Sequence, residues 1–373
     1  MFISDAATAL RWGKGCRMVQ SSISLNAGAS VPNIVEDLLS QRPWLLADGA
    51  TGTNLFARGL AQGEAPELWN LERPDAVREH YRSFIDACSD IVLTNTFGGT
   101  ANRLKLHGAQ GRVRQINAAG ARLLREEIER SGRRIVCAGS VGPTGDLFAP
   151  LGPLSHADGV TAFAEQCAGL REGGADVAWI ETMSSPEELA AAAEGAAVAG
   201  LPVICTLSFD TNGRTMMGVT PTQFVGLAHG LKPAPLAFGG NCGTGAAELV
   251  AALVQMHDGL APSDVIVAKA NCGIPEFVEG EIRYSGSPEL MARYAVLARR
   301  AGARIIGGCC GTTPVHVKAM HDALVAMDAD ASTPKTLPEI TEVVESLGKV
   351  SAAAQGEGPG RGRRESSRRR REG

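Results

Sequence analysis

The sequence predicts a (β/α)8 barrel (TIM barrel), an α/β fold, from three observations. From residue 45 onward, short apolar and β-branched runs alternate with longer helical stretches. Eight such runs occur, and most gaps between them leave room for the crossover helix that parallel strands require. Glycine and alanine are abundant, while aromatic residues make up only 5% of the 373 residues. We therefore expect one barrel domain over residues 34–345.

The eight predicted strands are short and are followed by polar or sulfur-containing residues. In chain order they are Leu45–Ala47, Ile91–Thr94, Ile135–Gly139, Val177–Ile180, Val203–Leu207, Leu236–Phe238, Val265–Ala268 and Arg304–Ile306. Several predicted helices between them begin at proline, which is favoured in the first helical turn. The predicted helices are Pro74–Cys88, Val113–Arg130, Ala162–Glu172, Pro186–Ala199, Pro288–Ala301 and Pro314–Met327.

The two ends of the chain differ in composition from the middle. Residues 1–33 show little periodicity and predict a poorly ordered leader, whereas residues 346–373 predict a disordered, arginine-rich tail. The last 23 residues carry seven arginines and three glutamates, a net charge of +4. Because the whole chain has a net charge of −4, the remaining residues have a net charge of −8. An RNA-binding or acidic-partner role for the tail is one interpretation, but we expect a solvated tail without a dedicated role.

Charge and hydropathy exclude several classes of protein. A body with a charge of −8 does not favour nucleic acid as a partner. No stretch of about 18 apolar residues predicts a membrane span, and the charged first 20 residues do not resemble a secretory signal. The nine cysteines are odd in number, which favours free thiols in a reducing cytoplasm.

The adjacent pair Cys309-Cys310 is the sharpest feature of the sequence. It follows the eighth predicted strand and is framed by glycines, which permit the sharp turn that two neighbouring thiolates need to reach one ion. Cys242 follows the sixth strand and points to the same rim, because catalytic residues of such barrels lie after the carboxyl ends of the strands. A buried pair of small side chains or a vicinal disulfide is the alternative interpretation of the pair.

Three thiolates would leave one zinc coordination position open, as in catalytic rather than structural sites. Such a site accepts a substrate thiol as fourth ligand and lowers its pKa, so that a thiolate attacks an electrophilic methyl group. Cys272 also follows a strand, but a fourth protein thiolate would close the site, so we leave it out.

Polar residues follow other strands at the same predicted rim. Asp48 and Glu181 are carboxylates placed to bind the ammonium of an amino-acid substrate, with a helix cap or a salt bridge as the alternative role. Asn95 and Thr96 could donate hydrogen bonds to a substrate carboxylate or simply form a turn. His316, on the last predicted helix, is expected to be a helix-face residue.

The motifs at this rim resemble the homocysteine S-methyltransferase family. They are the segments 48–53 (DGATGT), 94–97 (TNTF), 142–145 (GPTG), 241–243 (NCG) and 307–314 (GGCCGTTP), in that order between Leu45 and Met327. The resemblance implies a (β/α)8 barrel with zinc on Cys242, Cys309 and Cys310. It also implies homocysteine sulfur on the metal and its amino group near Asp48 and Glu181.

The segments 97–100 (FGGT) and 214–218 (RTMMG) resemble bacterial betaine–homocysteine methyltransferases most, so we expect betaine as the methyl donor. Aromatic faces would bind its trimethylammonium group. Gly98 stands where animal betaine enzymes carry an aromatic residue, and Trp69 and Phe97 are the candidates to replace it. The alternative donors are S-methylmethionine, or a methylcorrinoid or methyltetrahydrofolate route that uses a separate corrinoid protein.

A function of another class is a non-enzymatic zinc or thiol redox sensor built on Cys309-Cys310. The rim carboxylates are poorly explained by a sensor, so we expect an enzyme whose partners are homocysteine and a small methyl donor. The sequence leaves room for a homo-oligomer.

Overall fold

The computed structural model describes residues 33–278 and 281–352. Its ten strands are β1 (Leu45–Leu46), β2 (Ile91–Leu93), β3 (Val136–Val141), β4 (Val177–Met183), β5 (Val203–Leu207), β6 (Ala237–Cys242), β7 (Ile266–Ala270), β8 (Pro275–Val278), β9 (Glu281–Tyr284) and β10 (Ala303–Gly308). Its helices are α1 (Ile34–Gln41), α2 (Gly52–Phe56), α3 (Trp69–Glu72), α4 (Pro74–Asp86), α5 (Ala101–Leu104), α6 (Val113–Ser131), α7 (His156–Glu172), α8 (Pro186–Val198), α9 (Pro221–Gly230), α10 (Ala246–Met256), α11 (Pro288–Arg300), α12 (Pro314–Ala329) and α13 (Ile340–Leu347).

Eight parallel strands form the ring in the order β1-β10-β7-β6-β5-β4-β3-β2. The seam between β1 and β2 is closed by a parallel bridge between Ala47 and Ile91, with the Asp48 N–H donating to the Ile91 carbonyl at 3.0 Å. The helices lie between consecutive strands, as right-handed crossovers require. The predicted (β/α)8 barrel is therefore confirmed.

The barrel interior is filled by alternate residues of the strands, because successive side chains of a strand point to opposite faces. Leu45, Val136 and Trp179 belong to this inner cluster, and each is fully buried. Helix α1 contributes Val35 and Leu38 to the same cluster, which places it across the end of the barrel opposite the rim. The interior is therefore a packed core, and in this fold ligands bind beyond the carboxyl ends of the strands.

The strand ends differ from the prediction in a way that matters for the site. The predicted strands stopped where the apolar runs stop, but β6 continues through polar residues to Cys242 and β7 continues to Ala270. In the ladder, Asn241 pairs with Lys269, so polar residues still belong to the sheet at the rim. The antiparallel hairpin β8–β9 after β7 was not predicted at all.

The predicted leader lies outside the described residues except for Asn33, whose side chain caps α1 by accepting from the Val35 N–H at 2.8 Å. Of the predicted tail, α13 continues to Leu347, and Ser351 donates from its N–H to Glu248 at 2.8 Å. Residues 353–373 lie outside the described part. Within the described residues, none of the helices has the length and hydropathy needed to cross a bilayer.

Candidate metal and substrate site

Three sulfur atoms meet at the carboxyl rim of the barrel. The Sγ atoms of Cys242, Cys309 and Cys310 all lie within 4.8 Å of one another, and the Sγ atoms of Cys242 and Cys310 are 4.0 Å apart. All three side chains are partly exposed. Among the described residues, these are the one group of three or more His, Cys, Asp or Glu side chains spaced to hold a single metal ion. The sequence prediction grouped the same three cysteines.

Unusual backbone conformations bring the sulfurs together. Cys242 has a φ of 59°, in the left-handed region that non-glycine residues rarely adopt, and Gly243 follows with 77°. Gly311, directly after the cysteine pair, also has a φ of 77°. A Cβ on Gly311 would lie 2.4 Å from two atoms of the Tyr284 side chain. Glycine is therefore required at position 311 both for the turn and for the close approach of Tyr284.

The thiols share their protons. Hydrogen bonds from Cys242 and Cys309 lower the pKa of the Cys310 thiol to about 3, and the Tyr284 hydroxyl contributes a further hydrogen bond. Hydrogen bonds to Cys309 and Cys310 raise the pKa of the Cys242 thiol instead. The cluster therefore favours a thiolate at one of its three positions even among the protein groups alone.

Asp48 occupies the other side of the rim but is completely buried. One of its carboxylate oxygens accepts from Lys269 Nζ at 2.6 Å, and the other accepts from the Leu93 N–H at 2.8 Å. Burial opposes charge on both partners: it raises the pKa of Asp48 despite the charge of Lys269, whereas the charges of Asp48 and Glu181 outweigh burial and raise the pKa of Lys269. The short contact and the additional N–H donor support a charged Asp48–Lys269 pair.

Glu181, near the end of β4, faces the open space in front of the sulfurs. Its Oε1 accepts from the Ser140 hydroxyl at 2.5 Å, and burial raises its pKa to about 7. Next to it, Thr182 has a φ of 62° and exchanges two hydrogen bonds with the Asn241 amide, at 2.9 and 2.8 Å. The Asn241 Nδ2 also lies 3.9 Å from Cys309 Sγ. The Asn241 amide therefore links the end of β4 to the sulfur cluster.

Asn95 and Thr96 lie at the rim, but their donors are used within the protein. The Asn95 amide donates to the Pro66 carbonyl at 2.7 Å and to Asn70 at 3.0 Å. The Thr96 hydroxyl donates to the Ser140 carbonyl at 2.8 Å and lies 2.5 Å from the Thr94 hydroxyl. Both side chains thus shape the wall of the site through internal hydrogen bonds.

A cavity of about 410 Å³ joins these groups. The residues that line it include the three cysteines and the polar residues Glu181, Lys269, Asn95 and Thr96. Two aromatic and two further charged residues also line it: Phe56, Phe97, Glu67 and Arg103. Asp48 is not among the residues that line it. Phe56 and Phe97 are 47% and 37% exposed, so aromatic side chains are available to a ligand.

Three residues considered in the sequence analysis lie outside this arrangement. Cys272 is buried and its thiol donates to the Gly286 carbonyl at 3.1 Å, apart from the sulfur cluster. His316 completes a capping box with Thr313 at the start of α12. Trp69 is 4% exposed, and the Arg73 guanidinium lies 4.8 Å from its ring centroid, so its face is already covered.

Sequence reasoning missed Lys269, Tyr284 and Glu67. A signal existed for Lys269, since it is the single charged residue in the otherwise apolar run 265–270, and a buried lysine requires a partner. Glu67, buried at the edge of the cavity, accepts from the Gly98 N–H at 2.6 Å. Tyr284 lies at the end of the hairpin β8–β9, and no local sequence pattern indicates this hairpin or the tyrosine.

Comparisons with known proteins show which family the chain resembles. A family model described as homocysteine S-methyltransferase matches residues 45–324. The methionine synthase of Mycobacterium tuberculosis (strain ATCC 25618 / H37Rv) is 30% identical over 306 residues, which cover 77% of this chain and 25% of that protein. The methionine synthase of Mycobacterium leprae (strain TN) is 28% identical over 323 residues, covering 82% of this chain and 26% of that protein. The matched part thus spans about a quarter of the length of these relatives.

Solved structures of the homocysteine methyltransferase MmuM from Escherichia coli have the same fold. The oxidized form matches with a TM-score of 0.65 and 25% identity, and the metallated form with a TM-score of 0.64 and 25% identity. Each match covers 78% of this chain and 99% of the MmuM chain. With a family model matched over most of its barrel, the chain belongs to the homocysteine S-methyltransferase family, as its motifs predicted, and is a methyltransferase.

Proposed function

We propose that the protein transfers a methyl group to the thiolate of L-homocysteine to give L-methionine, with zinc held by Cys242, Cys309 and Cys310. The observation that carries the proposal is the cluster of three sulfurs at the cavity wall of a chain of this family. In this proposal the three cysteines hold the metal, the cavity holds the amino acid, and the donor approaches from the side lined by Phe56 and Phe97.

The sulfur spacing fits zinc. A tetrahedral ion with Zn–S bonds of about 2.3 Å separates its sulfur ligands by about 3.8 Å, close to the 4.0 Å between Cys242 and Cys310. Soft thiolates favour a soft, redox-silent ion over Mg²⁺ or Ca²⁺. The chemistry that zinc supplies when bound to three thiolates is to lower the pKa of a substrate thiol in the fourth position, so that it is a thiolate at neutral pH.

Glu181 is the carboxylate that we assign to the substrate ammonium. It lines the cavity, one of its oxygens is held by Ser140, and the sulfurs share the same wall. Asp48 was predicted for the same role, but its carboxylate is buried behind the cavity wall and paired with Lys269. The proposal therefore rests on Glu181 alone for the ammonium.

The aromatic part of the cavity wall favours a cationic methyl donor, with betaine as first choice. The exposed rings of Phe56 and Phe97 offer faces to a methylated ammonium or sulfonium group. Glu67 adds a carboxylate at this end of the cavity, and Arg103 lines it as well, where the carboxylate of betaine would need a partner. Of the two aromatic residues predicted for betaine, Phe97 lies at the cavity and Trp69 does not.

S-methylmethionine is the second candidate donor, because its sulfonium carries the same charge that Phe56, Phe97 and Glu67 would stabilise. A methyltetrahydrofolate or methylcorrinoid route would also use a corrinoid-binding protein or domain. A redox sensor would use Cys309 and Cys310 but would have no use for the aromatic and carboxylate groups of the same cavity.

The experiment that tests the function is a donor panel on zinc-loaded protein, with methionine formed from L-homocysteine as the product measured. The donors are betaine, dimethylsulfonio compounds, S-methylmethionine, methyltetrahydrofolate and methylcobalamin. We expect methionine with betaine, and none in a Cys310→Ala variant. Product from S-methylmethionine alone would reassign the donor. Stoichiometric zinc without product from any donor would overturn the proposed small-molecule reaction.

A further inference from the structure

Lys269 is a cation at the centre of the site that the proposed reaction has not used. It lies on β7, between the strands that carry Cys242 and the cysteine pair, and its register partners are Asn241 and Gly307. The side chain is 1% exposed but forms part of the cavity wall beside the three sulfurs. A lysine is almost never buried this deeply without a partner and a reason.

Its known contacts leave hydrogen-bonding capacity. The Lys269 Nζ donates to Asp48 at 2.6 Å, its one hydrogen bond among the described residues, and lies 5.6 Å from the Trp179 ring centroid. An ammonium group has three N–H donors. The pairing with Asp48 holds the ammonium in place and keeps it charged. Two of the three N–H donors have no partner among the described residues, and Lys269 lines the cavity that a ligand would enter.

The other polar groups predicted to bind a carboxylate are already occupied. The Asn95 amide and the Thr96 hydroxyl donate to carbonyls of Pro66 and Ser140. A buried substrate carboxylate without a donor would be unfavourable, because the charge loses its hydration and gains no partner in return. Lys269 is the buried cation that the cavity offers next to the sulfur cluster.

An α-amino acid carries its ammonium and carboxylate on one carbon, so a protein must present opposite charges close together to bind both. Glu181 and Lys269 line the same cavity, and the pKa of each responds to the charge of the other. The sulfur cluster lies beside both groups. The three features match the thiol, ammonium and carboxylate of one small amino acid.

We propose that Lys269, positioned by Asp48, binds the α-carboxylate of the thiol amino acid while Glu181 binds its ammonium. The inference rests on the proposed function and extends it to a residue that sets specificity. It also gives Asp48 a different task from the one the sequence predicted: Asp48 positions Lys269 and does not touch the substrate. The site would then discriminate an amino-acid thiol from a simple amine thiol through one lysine.

The test is calorimetric binding of two thiols to zinc-loaded protein: L-homocysteine, and 3-amino-1-propanethiol, which is homocysteine without its α-carboxylate. Lys269→Met alone would leave Asp48 buried and unpaired, so the variant is the double substitution Asp48→Asn with Lys269→Met, which removes both charges. The matched control is Lys318→Met on α12, where the lysine pairs with Asp322 at the surface.

We expect the wild-type protein to bind homocysteine about 10- to 100-fold more tightly than the amine thiol, the range for a hydrogen bond between charged groups. The double variant should lose that preference, with the affinity for the amine thiol changing less than about threefold, and Lys318→Met should change neither. If the double variant shows no cooperative unfolding transition and is therefore not folded, Asp48→Asn with Lys269→Gln replaces it, and its affinities for the two thiols are compared in the same way.

Two results would overturn the assignment of Lys269. Equal losses for both thiols would mean that Lys269 acts on the sulfur side. Unchanged preference would mean that the carboxylate binds elsewhere, with the backbone N–H groups of Thr51, Gly52 and Thr53 at the start of α2 as candidate donors at the cavity wall. In both cases wild-type binding of homocysteine leaves the proposed function standing. Failure of the wild-type protein to bind either thiol would overturn the function and the role of Lys269 together.

Discussion

The two halves of the rim are built in different ways. The sulfur side, Cys242, Cys309, Cys310 and the glycines beside them, is partly exposed and depends on left-handed turns within a few residues of each sulfur. The carboxylate side, Asp48, Asn95, Thr96 and Glu181, is buried and depends on partners that are distant in the sequence. The pair Asp48–Lys269 joins residues 221 positions apart. Local backbone geometry thus sets the sulfur side, and tertiary contacts set the carboxylate side.

The largest expected effect tests the sulfur side by comparing two cysteines at the same rim. Cys310→Ala should abolish stoichiometric zinc binding and lower methionine formation by more than about 100-fold, since loss of a ligand should exceed the 10- to 100-fold effect of an outer-shell change. Cys272→Ala should keep the metal, because its thiol bonds the Gly286 carbonyl instead. The zinc content and the rate of methionine formation are measured for both purified variants to show which cysteine is a ligand. Equal zinc loss in the two variants would contradict the assignment of ligands.

The next effect tests the carboxylate side through pH. Burial raises the pKa of Glu181 to about 7, so the carboxylate that we propose binds the substrate ammonium is present above that pH and is lost as the pH falls below it. Affinity for homocysteine should therefore rise between about pH 6 and pH 8. Glu181→Gln should weaken binding by about 10- to 100-fold and remove this dependence.

Homocysteine dissociation constants measured across the pH range for both proteins give the comparison. Any pH dependence of the thiol itself is common to wild type and Glu181→Gln, so the difference between the two curves reports Glu181. Parallel curves would show that Glu181 does not bind the ammonium.

The smallest expected effect is on stability and separates the two reasons why position 311 requires glycine. These are the left-handed backbone conformation and the close approach of Tyr284. Gly302→Ala places a side chain at a φ of 96° with open space around it, and should cost about 1 kcal/mol of unfolding free energy from backbone strain alone. Gly311→Ala, at 77°, also collides with Tyr284 and should cost about 1–3 kcal/mol more. Urea unfolding of the two variants provides both values. Equal losses would mean that Tyr284 moves freely away from the cysteine turn.

This contrast explains what could be predicted from sequence. The glycine-framed pair Cys309-Cys310 indicates its own turn, so the sulfur cluster followed from local pattern together with the order of the strands. The pairing of Asp48 with Lys269 could not be predicted in this way, because the predicted seventh strand ends at Ala268, one residue before Lys269. The ladder continues to Ala270, since polar residues at a rim still pair in the sheet. The hairpin β8–β9 and Tyr284 depend on contacts that no periodicity encodes.

The main architecture was predictable for a related reason. Each barrel strand is an apolar run whose neighbours are fixed by the βα alternation, and this local information is enough to order the ring. Side-chain pairing across the ring is not periodic. The internal hydrogen bonds of Asn95 and Thr96 therefore became visible only in three dimensions, and they changed the expected role of both residues.

Asp48 also carries a consequence for engineering the enzyme. Its N–H bonds to Ile91, and its carbonyl accepts from Gly308 at 2.9 Å, so the same residue that holds Lys269 joins the first strand to both neighbours. The backbone bonds would survive a substitution, but the Asp48 carboxylate also accepts from the Leu93 N–H of β2, and a side chain without an acceptor would weaken this part of the closure. A closed barrel has no unpaired strand edges, and such edges promote aggregation. A library that seeks a new acceptor substrate should therefore keep Asp48 and vary Glu181, whose backbone lies away from the seam.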